Sequence, residues 1–280
     1  MTAEAVVLSY HRFETDLDPD PFGLETPNEV FGLPALVAAS ARIDDSANPG
    51  SLPNLFVPGT GAPNTASLDG LSTSGNPDAN ASADYSALLD VAELTAEMFV
   101  RTEEQVGVLV ARSTSANVVS SISDGFRIYD PANLKVQFYT EDLSGNVQLN
   151  QISTSAGLDD LSLPRGDGIA EWRHVAFTYD QTLGIGQLYL DGQVIGSASA
   201  AAGSSLYWGP ESLANQRTLD VGFGLDGYNF SKTASDNGYI DEVRISSGAL
   251  TTDDFLLPES RHYGLIVALV ALGGAVSRRK

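Results

Sequence analysis

No cysteine occurs among the 280 residues. That excludes disulfides, thiolate metal sites and a cysteine nucleophile together. Histidine is nearly as scarce, at His11, His174 and His262, too few for a His-rich zinc site or a well-supported histidine triad. Basic residues are also short: fifteen Lys and Arg stand against 36 Asp and Glu, a formal charge of −21. Four of the fifteen (Arg261, Arg278, Arg279 and Lys280) follow the last acid, Glu259, so residues 1–260 hold 36 acids and 11 bases, a net of −25. Such a surface repels phosphate backbones and argues against a nucleic-acid partner. It suits solubility or a saline habitat on one reading and affinity for divalent cations on another. A sustained helical period is missing everywhere before residue 263. Met1-Thr2-Ala3-Glu4 lacks the basic start and apolar stretch of an export leader. Either the protein is cytoplasmic, or its leader is not part of this sequence.

What is present is a series of strand patterns. Along residues 172–180, Val175, Phe177 and Tyr179 point one way and His174, Ala176 and Thr178 the other. That two-residue period is the mark of a half-buried strand. Residues 181–186 break it with two glycines, and 187–190 resume it. Asp191-Gly192 then suits a tight hairpin turn before 194–197 run back. Further strand-like runs are 5–13, 94–102, 106–111, 125–129, 134–140, 219–223 and 239–245, with 147–154 as an edge strand. Residues 44–83, rich in Ser, Asn, Gly, Ala, Pro and Asp, read as a low-complexity loop insertion. Apolar content of 42% is enough for one two-sheet core.

Three of these pieces resemble one family. Residues 172–180 with Leu188-Tyr189-Leu190-Asp191-Gly192 look like the signature of laminin-G-like, concanavalin A-like jelly-roll domains. Residues 94–101 match its early central strand, and 238–245 followed by Ala249-Leu250-Thr251 match its closing strand. The resemblance implies an all-β sandwich of two antiparallel sheets over residues 1–256. It also implies that Trp172 and His174 are packing residues. In many such sandwiches an Asp near Asp241 helps hold a structural calcium opposite an N-terminal loop, so Glu14 or Asp16 would be its partner. Backbone carbonyls would complete the six to eight oxygens calcium takes. The alternative is that Asp241 hydrogen-bonds backbone at a strand start.

The C-terminus changes character. An uncharged, mostly apolar run at 263–277 ends in Arg278-Arg279-Lys280. As a helix it spans about 22 Å at about 1.5 Å per residue, short of the roughly 30 Å hydrocarbon core. Snorkelling basic residues make up part of the difference. Pro258-Glu259, the apolar run and the basic cluster resemble the PEP-CTERM sorting signal of Gram-negative bacteria, with Ser260 where a second proline is usual. That resemblance makes 257–280 a sorting tail with a transmembrane helix and implies processing by an exosortase-type enzyme. The basic end would stay cytoplasmic and the sandwich outside, which favours an exported protein whose leader is absent from this sequence. The alternative is a buried core helix, but the run has no polar face.

The same jelly roll carries lectins, adhesins, hydrolases and lyases. Paired carboxylates at a convincing spacing stand on no single strand-like run, so glycosidase chemistry has no visible acid and base. The aromatic residues expected at loop tips are Tyr207, Trp208, Tyr228 and Phe230; such faces stack on sugar rings or cap a sandwich edge. The expectation is an exported, non-catalytic module binding carbohydrate or an extracellular-matrix polymer, with calcium as its one candidate cofactor. A glycoside hydrolase or lyase, and a matrix protein without a specific ligand, are the alternatives.

Overall fold

A computed structural model describes residues 5–17, 24–38, 42–44, 63–69, 80–102, 106–114, 123–130, 133–158, 172–222 and 238–257. In chain order its strands begin with β1 (Val7–His11), β2 (Leu24–Thr26), β3 (Leu36–Ala38), β4 (Arg42–Asp44), β5 (Ser67–Asp69) and β6 (Asn80–Ala83). The long central strands are β7 (Leu94–Thr102), β8 (Val106–Ser113), β9 (Phe126–Asp130), β10 (Lys135–Glu141) and β11 (Val147–Ser153). Then come β12 (Arg173–Asp180), β13 (Ile185–Leu190), β14 (Gln193–Ser199), β15 (Ser205–Leu206), β16 (Thr218–Gly222) and β17 (Gly238–Ser247).

They form two antiparallel sheets. The eight-stranded sheet runs β14-β13-β12-β7-β17-β5-β4, with β1 also on β17. The nine-stranded sheet runs β11-β10-β9-β8-β16-β6-β3-β2, with β15 on β10. Alternation sorts the side chains between faces. Val175, Phe177 and Tyr179 of β12 enter the core from one sheet; Phe126, Ile128, Val136 and Phe138 enter from the other. The Phe177 ring stands 5.1 Å from Phe138 and 6.0 Å from Phe126. The hairpin expected at Asp191-Gly192 forms, with φ of 50° and 73°.

Two expectations need correction. The stretch 44–83 is more than a loop insertion, because it supplies β5 and β6. Leu68 of β5 and Ala81 and Ala83 of β6 are core residues; strands of three and four residues built on Ser and Ala carry too little apolar signal to be read. Nor is β12 half-buried, since its outer side is covered as well. Phe255 packs on Ala176 and Tyr189, with Leu250 and Leu257 beside it. Residues 248–257 therefore form a strap over the outer side of the eight-stranded sheet. Of the sorting tail expected over 257–280, Leu257 belongs to this strap and 258–280 lie outside the described residues, among which no helix is long and apolar enough to cross a membrane.

Candidate functional site

One buried polar cluster gathers where β1 meets β17. A register shift in β17 between Asp241 and Arg244 bulges the strand, and Glu242 takes a left-handed φ of 55°. The bulge is what lets consecutive acids, Asp241 and Glu242, both be buried. Asp241 Oδ1 accepts from the Glu242 amide at 2.8 Å, and its Oδ2 from Asn64 Nδ2 at 2.9 Å. Glu242 Oε2 accepts from the Tyr10 hydroxyl. Two oxygens in this cluster, Asn64 Oδ1 and Glu242 Oε1, are buried without a hydrogen-bond partner. Both are acceptors, and a buried acceptor without a donor is costly.

Charge in the cluster is correspondingly strained. Burial, reinforced by the neighbouring Glu242, raises the Asp241 pKa well above the usual carboxylate range. Burial also pushes Glu242 up to about 7, against the Tyr10 hydrogen bond and the Arg12 charge. On the adjoining strand, burial lowers His11 to about 4, while its Nε2 lies 3.1 Å from Ser9 Oγ.

Of the two partners expected for Asp241, Glu14 lies nearer: its charge contributes to raising both acids. Its carboxylate accepts from the Thr65 amide at 3.0 Å, one residue beyond Asn64. Asp16 instead accepts from the Glu25 amide at 3.0 Å. Among the described residues no three His, Asp or Glu side chains gather closely enough to hold a metal. A cation here would draw on Asp241, Glu242 and the Asn64 amide oxygen. The two partnerless oxygens fit such an ion; carbonyls would have to supply the remaining ligands.

A second arrangement lies on the outer face of the nine-stranded sheet. Opposite to core-facing Phe126, Val136, Phe138 and Ile152, alternation sends Arg127, Gln137 and Gln151 outward, in one row across β9, β10 and β11. Arg127 Nε donates to Gln137 Oε1 at 2.9 Å, Gln137 Nε2 to Gln151 Oε1 at 2.9 Å, and Gln151 Nε2 to Ser153 Oγ at 3.0 Å. Arg127 and Gln137 are buried, and Gln151 at the sheet edge is exposed. One step along the strands, Tyr139 pairs with Leu149. Tyr207 follows β15 as Tyr139's other neighbour, donating its amide to the Tyr139 carbonyl at 2.9 Å. Both tyrosines are half-buried and Leu149 is exposed.

The loop-tip aromatics separate on this geometry. Tyr207 lies on the sheet beside Tyr139. Trp208, only 8% exposed, is a core residue: Nε1 donates to the Val91 carbonyl at 2.8 Å and the ring sits edge-on to Phe126 at 6.3 Å. Its expected exposure is thus corrected, since the turn after β15 folds the indole inward. Tyr228 and Phe230 lie outside the described residues, as do Pro258, Glu259, Arg278, Arg279 and Lys280 of the sorting motif. Tyr139 carried no signal of its own, being one bulky residue in an alternating strand.

Sequence reasoning also missed a buried ion hub under the strap. Glu97, fully buried, accepts from His174 Nε2 at 2.8 Å, Arg244 Nε at 2.7 Å and the Leu256 amide at 2.8 Å. His174 lies between the rings of Phe99 and Phe255 at 5.2 and 5.6 Å, a packing position. Among the described residues, Glu25 on β2, Glu141 on β10 and Asp220 on β16 alternate to the outer face of the nine-stranded sheet; Asp220 is held by Ser82 at 2.5 Å and Thr218 at 2.7 Å, its pKa raised by burial.

Two antiparallel sheets packed in this order, with a closing strand returning to the centre of one of them, define a concanavalin A-like jelly roll. The chain belongs to the family described as the concanavalin A-like lectin/glucanases superfamily, whose model matches residues 74–254. No curated protein matches the sequence. Among solved structures it is similar to the binding domain of Paraclostridial Mosquitocidal Protein 1, with a TM-score of 0.51 at 13% identity over 89% of this chain and 50% of that one. It spans about half the length of that relative, and the likeness shows the fold alone. Domain 4 of AbnA, a GH43 extracellular arabinanase from Geobacillus stearothermophilus, matches with a TM-score of 0.41 at 16% identity, over 89% of this chain and 96% of that one.

Proposed function

We propose that this protein is a non-catalytic carbohydrate-binding module that docks a glycan on the outer face of its nine-stranded sheet. The observation that carries the reading is the pairing of Tyr139 and Tyr207 beside the Arg127–Gln137–Gln151–Ser153 ladder. Aromatic faces stack on the apolar side of a sugar ring, while amides and hydroxyls bond its alcohols. The family's description, which names lectins and glucanases, supports the ligand class. Glu141 and Glu25 share this face but each stands three strands from Asp220, roughly 14 Å at about 4.8 Å per strand, beyond the about 5–9.5 Å at which glycosidases hold their two carboxyls.

Calcium at the Asp241–Glu242–Asn64 cluster belongs to the same proposal, as a brace between β1, β17 and the segment carrying Asn64. So does export, with residues 258–280 as a sorting tail handled by an exosortase-type enzyme at the membrane. A glycan array probed with and without calcium tests the binding role. Retention of one class of polysaccharide is expected, and release of reducing ends from it would show an enzyme instead.

A further inference from the structure

The strap at residues 248–257 leads the chain back along the sheet it has just completed. β17 ends at Ser247, opposite Leu94 of β7. Gly248, at a left-handed φ of 80°, then donates its amide to the Glu93 carbonyl at 3.1 Å. From there the chain reverses: Leu250 meets Thr95, Leu256 meets Glu97, and Leu257 reaches Gly192, where an added Cβ would stand 3.1 Å from Leu257 Cδ1. Gly192 lies in the turn between β13 and β14, at the opposite end of these strands from Ser247 and Leu94. The two ends are about 20 Å apart, the rise from Leu94 to Val100 at about 3.3 Å per residue.

The strap is held lightly compared with the strand it continues. β17 is laddered to β7 on one side and to β1 and β5 on the other. Among the described residues, the backbone of 249–257 makes no main-chain hydrogen bond to either sheet. It is held through side chains instead: Leu250 N donates to Thr95 Oγ1 at 2.8 Å, Leu256 N to Glu97 Oε2 at 2.8 Å, and Arg244 Nη2 to the Asp254 carbonyl at 2.6 Å. The surface beneath is largely polar as well. Thr95, Glu97, His174 and Arg244 meet the strap, and Ala176 and Tyr189 add apolar contact. The other face of the same strands sends Ala96, Met98, Val175, Phe177 and Ile245 into the core. Lifting the strap forfeits the burial of Phe255 and Leu256, but it returns Glu97 and Arg244 to water and relieves their desolvation. Opening the core face brings no such compensation.

We propose that the strap is a reversible clasp: it opens while both sheets stay folded, and its two states send residues 258–280 out from opposite ends of the sandwich. Closed, the chain leaves beside Gly192. Open, it leaves from Ser247, with Gly248 as the hinge, since glycine holds or abandons a left-handed φ without side-chain strain. Elements that move are drawn from the low-stability end of a fold, and the sparse backbone bonding of the strap puts it there. In the anchored protein, a consequence that rests on the sorting-tail reading, the two states turn opposite ends of the sandwich toward the membrane.

Native-state amide exchange on the full chain, in mild detergent, tests the opening. The Leu250 and Leu256 amides should exchange at least about a hundredfold faster than those of Val175 and Phe177 in β12. The chain has no cysteine, so spin labels go only where cysteine is introduced. Pro258→Cys is paired with Val194→Cys at the Gly192 end or with Leu183→Cys at the Ser247 end, both positions being exposed. The 258–194 distance should be the shorter in the otherwise unaltered chain. Phe255→Ser removes the ring between His174 and Tyr189; it should raise the open fraction at least about tenfold, lengthening 258–194 and shortening 258–183, with β12 exchange unchanged. Exchange in 249–257 as slow as in β12 would overturn the proposal, whatever the variant does. So would a Phe255→Ser chain with unaltered distances, or one in which both sheets lose protection together with the strap. None of these measurements needs a membrane, so their failure leaves the sorting tail to be decided by fractionation.

Discussion

At Glu242 the fold holds a proton that the unfolded chain has lost. Its pKa rises from 4.5 to about 7, so stability contributed below pH 4.5 falls away as pH climbs to 7. Asp241 is raised by the same burial and acts in the same direction. On the adjacent strand His11 works oppositely: lowered from 6.5 to about 4, it refuses a proton the unfolded chain accepts, so stability is lost as pH falls from 6.5 toward 4. The windows overlap, and His11→Gln isolates the carboxyl limb. In chelator this variant's melting temperature should drop between pH 5 and 7. Excess calcium should flatten that slope, because a bound cation favours both carboxylates. A flat profile in chelator would remove the buried protons, and a slope indifferent to calcium would remove the ion.

At the scale of elements, the strap depends on Glu97. Glu97→Gln should cost roughly 3 kcal/mol, because it removes the buried anion that faces the half-buried Arg244; denaturant titration reads it. Phe177→Ala, between the rings of Phe126 and Phe138, should cost about 3–5 kcal/mol in the same assay. The second of these was legible in the sequence and the first was not. Alternation along 172–180 and the Asp191-Gly192 turn are local signals, so β12, β13 and β14 could be read directly. The Glu97 partners lie 77 and 147 residues away, and nothing local marks a pair that only the sheet order brings together. The same reason hid Asn64 from Asp241, 177 residues apart, although the family resemblance pointed to Asp241 itself. Tyr207 was singled out as an aromatic, but its role beside Tyr139 needed β15, a strand of two residues. Trp208, its neighbour, looked identical in sequence and points the other way.

For the whole molecule, the proposed division falls just after the strap. Residues through Leu257 complete the cover over Ala176 and Tyr189, so a chain ending there should be released soluble and folded. With an export leader added, the full chain should fractionate with membranes, and immunoblotting of the two fractions compares them. Replacing Leu269 and Val270 with lysine should release it too, each charge costing about 2.5–3.5 kcal/mol at the centre of a spanning helix. Recovery of the full chain wholly in the soluble fraction would end the sorting-tail reading.

The binding face is the centre of the account, and one calorimetric titration reaches it directly. The polysaccharide best retained on the array is titrated into the parent protein and into a Tyr139→Ala, Tyr207→Ala variant, with matched melting curves showing both folded. Each stacked ring is worth about 1 kcal/mol beyond its area, so affinity should fall at least about tenfold in the variant. Undiminished affinity in a folded variant would contradict the account and move the ligand off the outer face of the nine-stranded sheet.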